Sequence, residues 1–570
     1  MSLGMAERQG DLLDEVNRFC EQALPANSVY SVLHRERDRL FPDDMFADLF
    51  SCRGRRSVPP SVVATVMVLQ RLEGLSDREA VDRFCFDNRW RYAAGVGGYD
   101  GEGWGRFAHT VLVDMRARLA VSAKPRRIFE VTLVAAAAAG LVGARRVLDS
   151  TPLYDAVATM DTLTLIRSAL RGLLHVAEAE LQARLRAVLV SGDDYASTAK
   201  PQIDWDDAQA REQLIDSRAR DAHACLLLLE GRELTEPVEQ AAQLLASVVG
   251  QDLEQTEAGV FRIARRVAKD RIISTVDPDA RHGHKTSARS FDGYKGHVAV
   301  DPDSEIVTDT VVSAGNVGDA AVAEGLIDDL LDEHRPADAT GGATGDETDD
   351  DHTEPASGPV SGPAGTPAGD DAEPSDRPVP AEEPAVYGDA AYGSGAFLDL
   401  LAGANIASGC KTQPPTAASG LFAKDRFVID LDADTVTCPG EVTMPIRRGR
   451  DGDGIAYFGE GCAACPLRAQ CTTATSGRTV SVGRHEQRLA DARAEQRQPE
   501  WQADYRATRP KVERKLAHLM RRKHGGRRAR VRGKDKVDAD FNLLAAAINV
   551  ARLTALGLRS TGTGWATATA

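Results

Sequence analysis

The chain has 570 residues, of which 42% are hydrophobic, and a formal net charge of −16 at pH 7. That length exceeds what one hydrophobic core usually supports and predicts two or three domains. The uncharged stretch 131–142 is shorter than the roughly 20 apolar residues that a membrane helix needs, and residues 1–11 lack the apolar core of a signal peptide. We therefore expect a cytoplasmic protein with no membrane partner.

Residues 1–125 predict an all-helical N-terminal domain. The apolar run 62–72 begins after two prolines and ends at Gly74, and residues 76–79 have the form of a capping box that starts the next helix. Two short helices joined at a glycine are compatible with a DNA-binding helix-turn-helix. They are equally compatible with any small helical bundle.

Residues 140–555 predict an α/β domain with insertions. Short strands are predicted at 146–148, 297–300, 306–312 and 385–388. Helical spacing fills the insertion 155–270 and the later stretch 484–522, which we expect prolines to break at Pro499 and Pro510. This order of elements fits an α/β core better than a sandwich or a doubly wound sheet.

Charge is segregated along the chain. Residues 336–385 hold 13 acidic residues against one arginine, whereas 501–536 hold 14 lysines and arginines against three acids. The acidic segment is rich in Pro, Gly and Ala without apolar periodicity, so we expect 336–384 to be a disordered insertion. The basic residues are densest at 521–532. Such a run is commonly a solvated face, but it is also the footprint expected of phosphate binding.

Three acidic residues stand where a metal site could form. Asp149 follows the first predicted strand, Asp389 follows the strand at 385–388, and Glu513 lies in the late helical stretch. Two magnesium ions that cleave a phosphodiester bond need about three acids converging from different elements. Each acid also has an ordinary interpretation, as a helix cap, a turn residue and a surface ion-pair partner respectively. Spacing alone does not select three of the 85 acids.

Five motifs occur in a fixed order along the chain. They are LSDREAV at 75–81 with RWR at 89–91, VLDSTP at 147–152, DPDARHG at 277–283 with FDGYKGH at 291–297, VYGDAAY at 386–392, and RPKVER at 509–514. Together they resemble the motifs of DDE transposases of bacterial insertion sequences, most closely insertion-sequence group eleven eighty-two.

The resemblance implies an α/β, RNase H-like mixed sheet with helical insertions behind the helical N-terminal domain. It implies that Asp149, Asp389 and Glu513 are catalytic and hold two Mg²⁺ or Mn²⁺ ions. The implied reaction is cleavage at transposon terminal inverted repeats and strand transfer into target DNA, by a homodimer in a synaptic complex associated with the nucleoid. An inactive or domesticated DNA-binding protein of this fold, and an RNase H-like nuclease without strand transfer, remain alternatives.

The resemblance and the charge pattern also predict DNA contacts. The residues concerned are basic or aromatic: Lys295, Tyr505, Arg509, Arg521, Arg522, Lys523, Arg527, Arg528 and Arg530. The chain departs from the family pattern on the helix of the third acid, since Tyr505 lies one residue further from Arg509 than usual and Met520 holds a lysine position. The roles of Tyr505 and Arg509 therefore stay open.

Four of the nine cysteines cluster in a predicted subdomain at 436–475: Cys438, Cys462, Cys465 and Cys471. The CxxC pair has the spacing of structural zinc sites, and four thiolates would leave no open position for catalysis. The other interpretation is four reduced thiols in a small subdomain. Three histidines lie near the predicted strands: His282, His284 and His297. They could form a second metal site, but a structural or phosphate-facing role is the preferred interpretation.

Overall fold

The computed structural model describes residues 1–6, 15–97, 106–155, 157–193, 195–199, 201–286, 288–334, 383–417, 420–562 and 564–567. The predicted disordered insertion 336–384 lies outside the described residues except at its last two positions. Within the described stretches, no helix combines the length and apolar character required to cross a membrane.

The N-terminal region is helical, as predicted. Its helices are α1 (Glu15–Ala23), α2 (Val29–Leu40), α3 (Pro60–Glu73), α4 (Asp77–Phe86), α5 (Asn88–Ala93), α6 (Thr110–Ala120) and α7 (Arg127–Ala138). Gly74 ends α3 in the left-handed conformation, with a φ of 67°, because a residue without Cβ adopts it readily. Ser76 and Glu79 form the expected capping box at the start of α4.

The middle of the chain alternates strands and helices. In chain order the elements are β1 (Arg145–Tyr154), α8 (Thr162–Val176), α9 (Ala179–Ala187), α10 (Ala208–Leu229), α11 (Glu236–Asp252), β2 (Leu253–Gln255), β3 (Phe261–Ile263), β4 (Arg281–Thr286), β5 (Arg289–Val300), β6 (Val307–Ala314), α12 (Asp328–His334), β7 (Ala385–Gly388), α13 (Gly395–Gly403) and β8 (Ala407–Cys410). Helices α8, α10 and α11 pack on one another around a separate hydrophobic cluster, so the predicted helical insertion is a body with its own core.

Six strands form one mixed sheet. The strand order is β4–β5–β1–β7–β8, with β6 also paired to β5. Strand β5 runs antiparallel to β1, β4 and β6, whereas β7 is parallel to β1 and to β8. Parallel neighbouring strands must be joined by a crossover, and α13 provides the crossover between β7 and β8. The prediction of a mixed α/β sheet is thereby confirmed.

A second, antiparallel sheet follows. Its strands are β9 (Val428–Asp430), β10 (Thr435–Thr437), β11 (Thr443–Arg448), β12 (Gly454–Tyr457) and β13 (Thr479–Val482), with the short helix α14 (Arg468–Cys471) before β13. The sequence predicted only one of these strands, near 427–429. The predicted cysteine subdomain is therefore part of a larger five-stranded body.

Three helices and a short hairpin close the chain. They are α15 (Glu486–Glu495), α16 (Pro499–Leu519), α17 (Lys534–Ala555), β14 (Arg559–Ser560) and β15 (Trp565–Ala566). The expected break at Pro499 is confirmed, but the one at Pro510 is wrong, because α16 continues through that residue. Burial of Val512, Leu516 and Leu519 against the sheet holds the helix together despite the missing N–H.

The two faces of the main sheet have separate cores. Val147 belongs to the large cluster that α16 and α17 share with α3 and the other N-terminal helices. Leu148 points the other way, into the cluster under α12 and α13. Since side chains alternate along a strand, Asp149 lies on the same face as Val147, beneath α16.

Candidate active site

Asp149 and Asp389 stand side by side on neighbouring strands. Strands β1 and β7 are parallel with Val147 level with Tyr387, so two residues further along the two aspartates are level as well. Asp389 is the first residue beyond β7, as expected. Asp149 does not end its strand as expected, because pairing with β5 continues β1 to Tyr154. The carboxylates thus meet where the shorter strand stops.

Arg509 connects the two carboxylates. Its Nη2 lies 2.9 Å from Asp149 Oδ1 and 3.9 Å from Asp389 Oδ2. The guanidinium is 8% exposed, Asp149 is 15% exposed and Asp389 is 46% exposed. Burial raises the pKa of the Asp149 carboxyl above its usual value, against the lowering effects of Arg509 and the Ser150 N–H. Without a cation between them, these charges would repel one another at close range.

Helix α16 positions Arg509 through contacts one and two turns earlier. The Tyr387 hydroxyl donates a hydrogen bond to Asp504 over 2.7 Å, which fixes α16 against the end of β7. Tyr505 is buried and stacks on Trp501, with ring centroids 5.0 Å apart and planes 10° apart. The two DNA contacts predicted on this helix, Tyr505 and Arg509, therefore lie inward, beside the aspartates.

Glu513 lies one turn beyond Arg509 on α16 and is exposed. Its carboxylate makes no hydrogen bond or ion pair to another residue in the described part of the chain. Among those residues, no group of three or more His, Cys, Asp or Glu side chains is arranged to hold a metal ion. The structure therefore brings together two of the three predicted acids and leaves Glu513 apart from them.

A buried polar network lies on the other side of β1. Lys295 Nζ is 2.9 Å from Asp319 Oδ1, and the Ser150 hydroxyl donates to the other oxygen of Asp319 over 2.6 Å. Lys295, predicted to contact DNA, is thus occupied inside the protein. Tyr392 is fully buried near both sites, and burial followed by the charges of Asp319, Asp149 and Asp389 raises the pKa of its hydroxyl.

The three histidines make protein contacts. His282 lies 2.7 Å from Asp292, and its ring meets that of His284 edge-on. His297 is buried, with Nε2 2.8 Å from the Ser313 hydroxyl, and burial lowers its pKa to about 4. His297 is thus held inside the protein, whereas His282 and His284 are exposed.

Three segments of the chain match family models of transposases. Residues 255–363 and 437–554 each match a transposase DDE domain, and 18–118 match a transposase domain of the kind numbered DUF772. The matches support a DDE transposase of the insertion-sequence type. No curated protein matches the chain. Among solved structures there is likewise no match.

The matched segments cover the site unevenly. Arg509 and Glu513 lie inside the C-terminal transposase match, and the β4–β6 region lies inside the central one. Asp149 and Asp389 lie outside all three segments. Their assignment therefore depends on the motifs and on their meeting at Arg509.

The four clustered cysteines line one small cavity, together with Phe422, Phe458 and the Cys438-Pro-Gly turn. All four are free thiols. A Cβ placed on Gly440 would lie 3.4 Å from Cys465 Sγ and 3.7 Å from Cys438 Sγ. Burial raises the pKa of Cys471, against a lowering effect of Arg478, and the other three thiols add to the rise.

The basic segment 521–532 lies between α16 and α17. Its exposed members include Arg521, Arg522, Lys523, Arg527 and Arg528. Arg530 instead donates to the Leu75 carbonyl, and Tyr154 at the end of β1 pairs with the backbone of 527–529. The segment therefore joins the α3–α4 turn to the far end of β1.

Proposed function

We propose that this protein catalyses metal-dependent cleavage of DNA at transposon ends and transfer of the freed strands into target DNA. The observation that carries the proposal is the pair Asp149 and Asp389, level on adjacent parallel strands and joined through Arg509. The strand order of the sheet, antiparallel around β5 and parallel around β7, supports an RNase H-like fold. The motif order supports membership of insertion-sequence group eleven eighty-two.

The donor set fits a hard divalent cation. Two carboxylates lie on one face, and the cationic group now between them shows that this place favours positive charge. Magnesium prefers such oxygen ligands and takes its remaining ligands from water and substrate phosphate. When bound, two Mg²⁺ or Mn²⁺ ions would activate the attacking oxygen and neutralise charge on the leaving one.

Glu513 is the third proposed ligand. It follows Arg509 by one helical turn, so both can serve the same edge of the sheet. Its exposure leaves it free to reorient. In this proposal Arg509 leaves the carboxylates when metal binds and turns its charge toward the phosphate.

DNA is the proposed partner. A homodimer would hold two transposon ends together, and the protein would associate with the nucleoid. The exposed cations of 521–528 support this, because they extend from the β1 edge to the α3–α4 turn. Such contacts would position the duplex without identifying its sequence. Helix α4, with Arg78 and Arg83 exposed, is the proposed source of sequence recognition, and the buried helix α3 supports it.

A structural zinc ion is a further proposal. The four thiols line one cavity and the CxxC spacing is suitable, although the side chains are not arranged around an ion. We expect about one zinc per chain by elemental analysis. Cys465→Ser should abolish it, and the exposed Cys52→Ser should not. Zinc-free wild-type protein would reject the proposal.

The experiment that tests the function uses a plasmid carrying the genomic DNA that flanks the gene. Wild-type protein with Mg²⁺ should cut at defined positions and produce joined products. Asp149→Asn, Asp389→Asn and Glu513→Gln should each abolish cutting and leave DNA binding intact. Cutting without joining would favour the simple nuclease, and binding without cutting would favour the inactive DNA-binding protein.

A further inference from the structure

Lys411 lies directly behind the proposed active site. It follows β8, and its backbone N–H donates to the carbonyl of Gly388, the residue before Asp389, over 3.1 Å. The loop after Asp389 also packs closely on it, since a Cβ on Gly393 would meet the Lys411 carbonyl oxygen at 1.8 Å. The backbone of Lys411 is therefore fixed relative to Asp389.

The side chain of Lys411 is exposed and directed over an aromatic ring. Its Nζ lies 4.4 Å from the centroid of Tyr505, which in turn stacks on Trp501. A cation over an aromatic face is held by the ring quadrupole without being neutralised. Lys411 has no carboxylate partner in the described part of the chain. Its charge therefore remains available to an anion.

Arg509 adds a second available donor, one helical turn from the Tyr505 ring that lies under Lys411. Its Nη2 serves Asp149, but its buried Nη1 has no hydrogen-bond partner. A buried donor without a partner is costly, so an anionic ligand that reaches it gains accordingly. Tyr505, whose ring lies under Lys411, is one turn before Arg509 on α16.

We propose that Lys411 and Arg509 Nη1 bind one DNA backbone phosphate beside the phosphate that is cut at Asp149 and Asp389. The Tyr505 ring packs against the Lys411 ammonium group and fixes its distance from α16. The proposal rests on the proposed function and assigns Lys411 as a positioning residue for the strand. A DNA phosphate suits the site because it accepts from both cations at once and continues to the neighbouring scissile group.

The test compares Lys411→Ala and Lys411→Arg with Lys124→Ala, an exposed lysine between α6 and α7 that serves as the matched control. Binding to flanking DNA is measured across salt concentrations. Loss of one phosphate contact should reduce the slope of log affinity against log salt by about 0.9 in Lys411→Ala. Lys411→Arg should restore the slope, and Lys124→Ala should retain it.

A second measurement locates the contact. Neutral methylphosphonate groups are placed one at a time near the cleavage position. One position should weaken wild-type binding about tenfold and weaken Lys411→Ala clearly less, because only Arg509 still contacts that phosphate in the variant. An unchanged salt slope in Lys411→Ala, or equal sensitivity of both proteins at every position, would overturn the proposal. Failure of the proposed function is separate, because it would appear as absent cleavage by the wild type.

Discussion

Arg509 lies between the carboxylates of Asp149 and Asp389, and its positive charge offsets their mutual repulsion. The buried pair with Asp149 means that removing the guanidinium leaves an uncompensated carboxylate under α16. At the level of single residues, the positive charge between the two aspartates thus comes from Arg509 alone in the described structure. A bound metal ion would supply the same charge, which leads to a prediction about stability.

Arg509→Met should lower the free energy of unfolding by about 3 kcal/mol at neutral pH, as expected when one partner of a buried ion pair is removed. Mg²⁺ should restore more stability to this variant than to the wild type, because the ion can replace the lost positive charge. Urea unfolding with and without Mg²⁺ measures both effects. Equal Mg²⁺ effects on the two proteins would contradict this role.

The burial of His297 predicts that the folded protein loses stability in acid. Its pKa falls from 6.5 to about 4 because burial disfavours the charged ring. The unfolded chain therefore binds the extra proton first, so stability is full above pH 6.5 and decreases as the pH falls from 6.5 towards 4. His524, whose pKa burial also lowers to about 4, acts in the same direction.

His297→Gln should reduce this pH dependence without removing it, since His524 remains. Thermal unfolding midpoints between pH 7.5 and pH 4.5 provide the measurement. His175→Gln, an exposed residue near the end of α8, is the control and should behave as the wild type. An unchanged pH dependence in His297→Gln would show that another group is responsible.

At the level of elements, helix α16 departs from the sequence prediction, because it does not break at Pro510. Pro510 is exposed and removes one helical hydrogen bond, yet the helix continues because its other face is buried. Pro510→Ala should therefore raise the free energy of unfolding by about 1–3 kcal/mol. Ala507→Gly, also exposed, should lower it by about 1 kcal/mol. A less stable Pro510→Ala would show that the proline is needed to place Arg509.

Some elements could be predicted from their local sequence, and others depend on pairing with distant strands. The apolar run 385–388 and the capping box at Ser76 are local features, and both were predictable. Strand β1 was predicted too short because Ser150, Thr151 and Pro152 interrupt the apolar pattern, while pairing with β5 carries the strand onward. The short strands β9–β13 have little periodicity of their own.

The site was predictable only in part, for a similar reason. Motif order predicted Asp149 and Asp389 as site residues, and the β1–β7 register explains why the two lie close together. The Arg509 contacts, the buried Lys295–Asp319 pair and the position of Lys411 depend on packing between elements far apart in sequence. No spacing along the chain encodes those contacts.

At the scale of the whole molecule, the net charge conceals a localised basic surface. Reversing Arg527 and Arg528 to Glu should weaken DNA binding and flatten its salt dependence, because both side chains are exposed and available to phosphate. Reversing Arg184 and Arg186 on the helical insertion is the matched control. Equal effects of the two double variants would mean that the surface at 521–528 has no special role.

The central claim is that Asp149, Asp389 and Glu513 hold the catalytic ions. Crystals of the protein bound to its flanking DNA in Mn²⁺, measured near the manganese absorption edge, test it most directly. The account predicts anomalous peaks within about 2.0–2.4 Å of Asp149 and Asp389 oxygens, with Glu513 turned toward them and Arg509 moved onto phosphate. Manganese bound elsewhere, with Arg509 still between the aspartates, would contradict it.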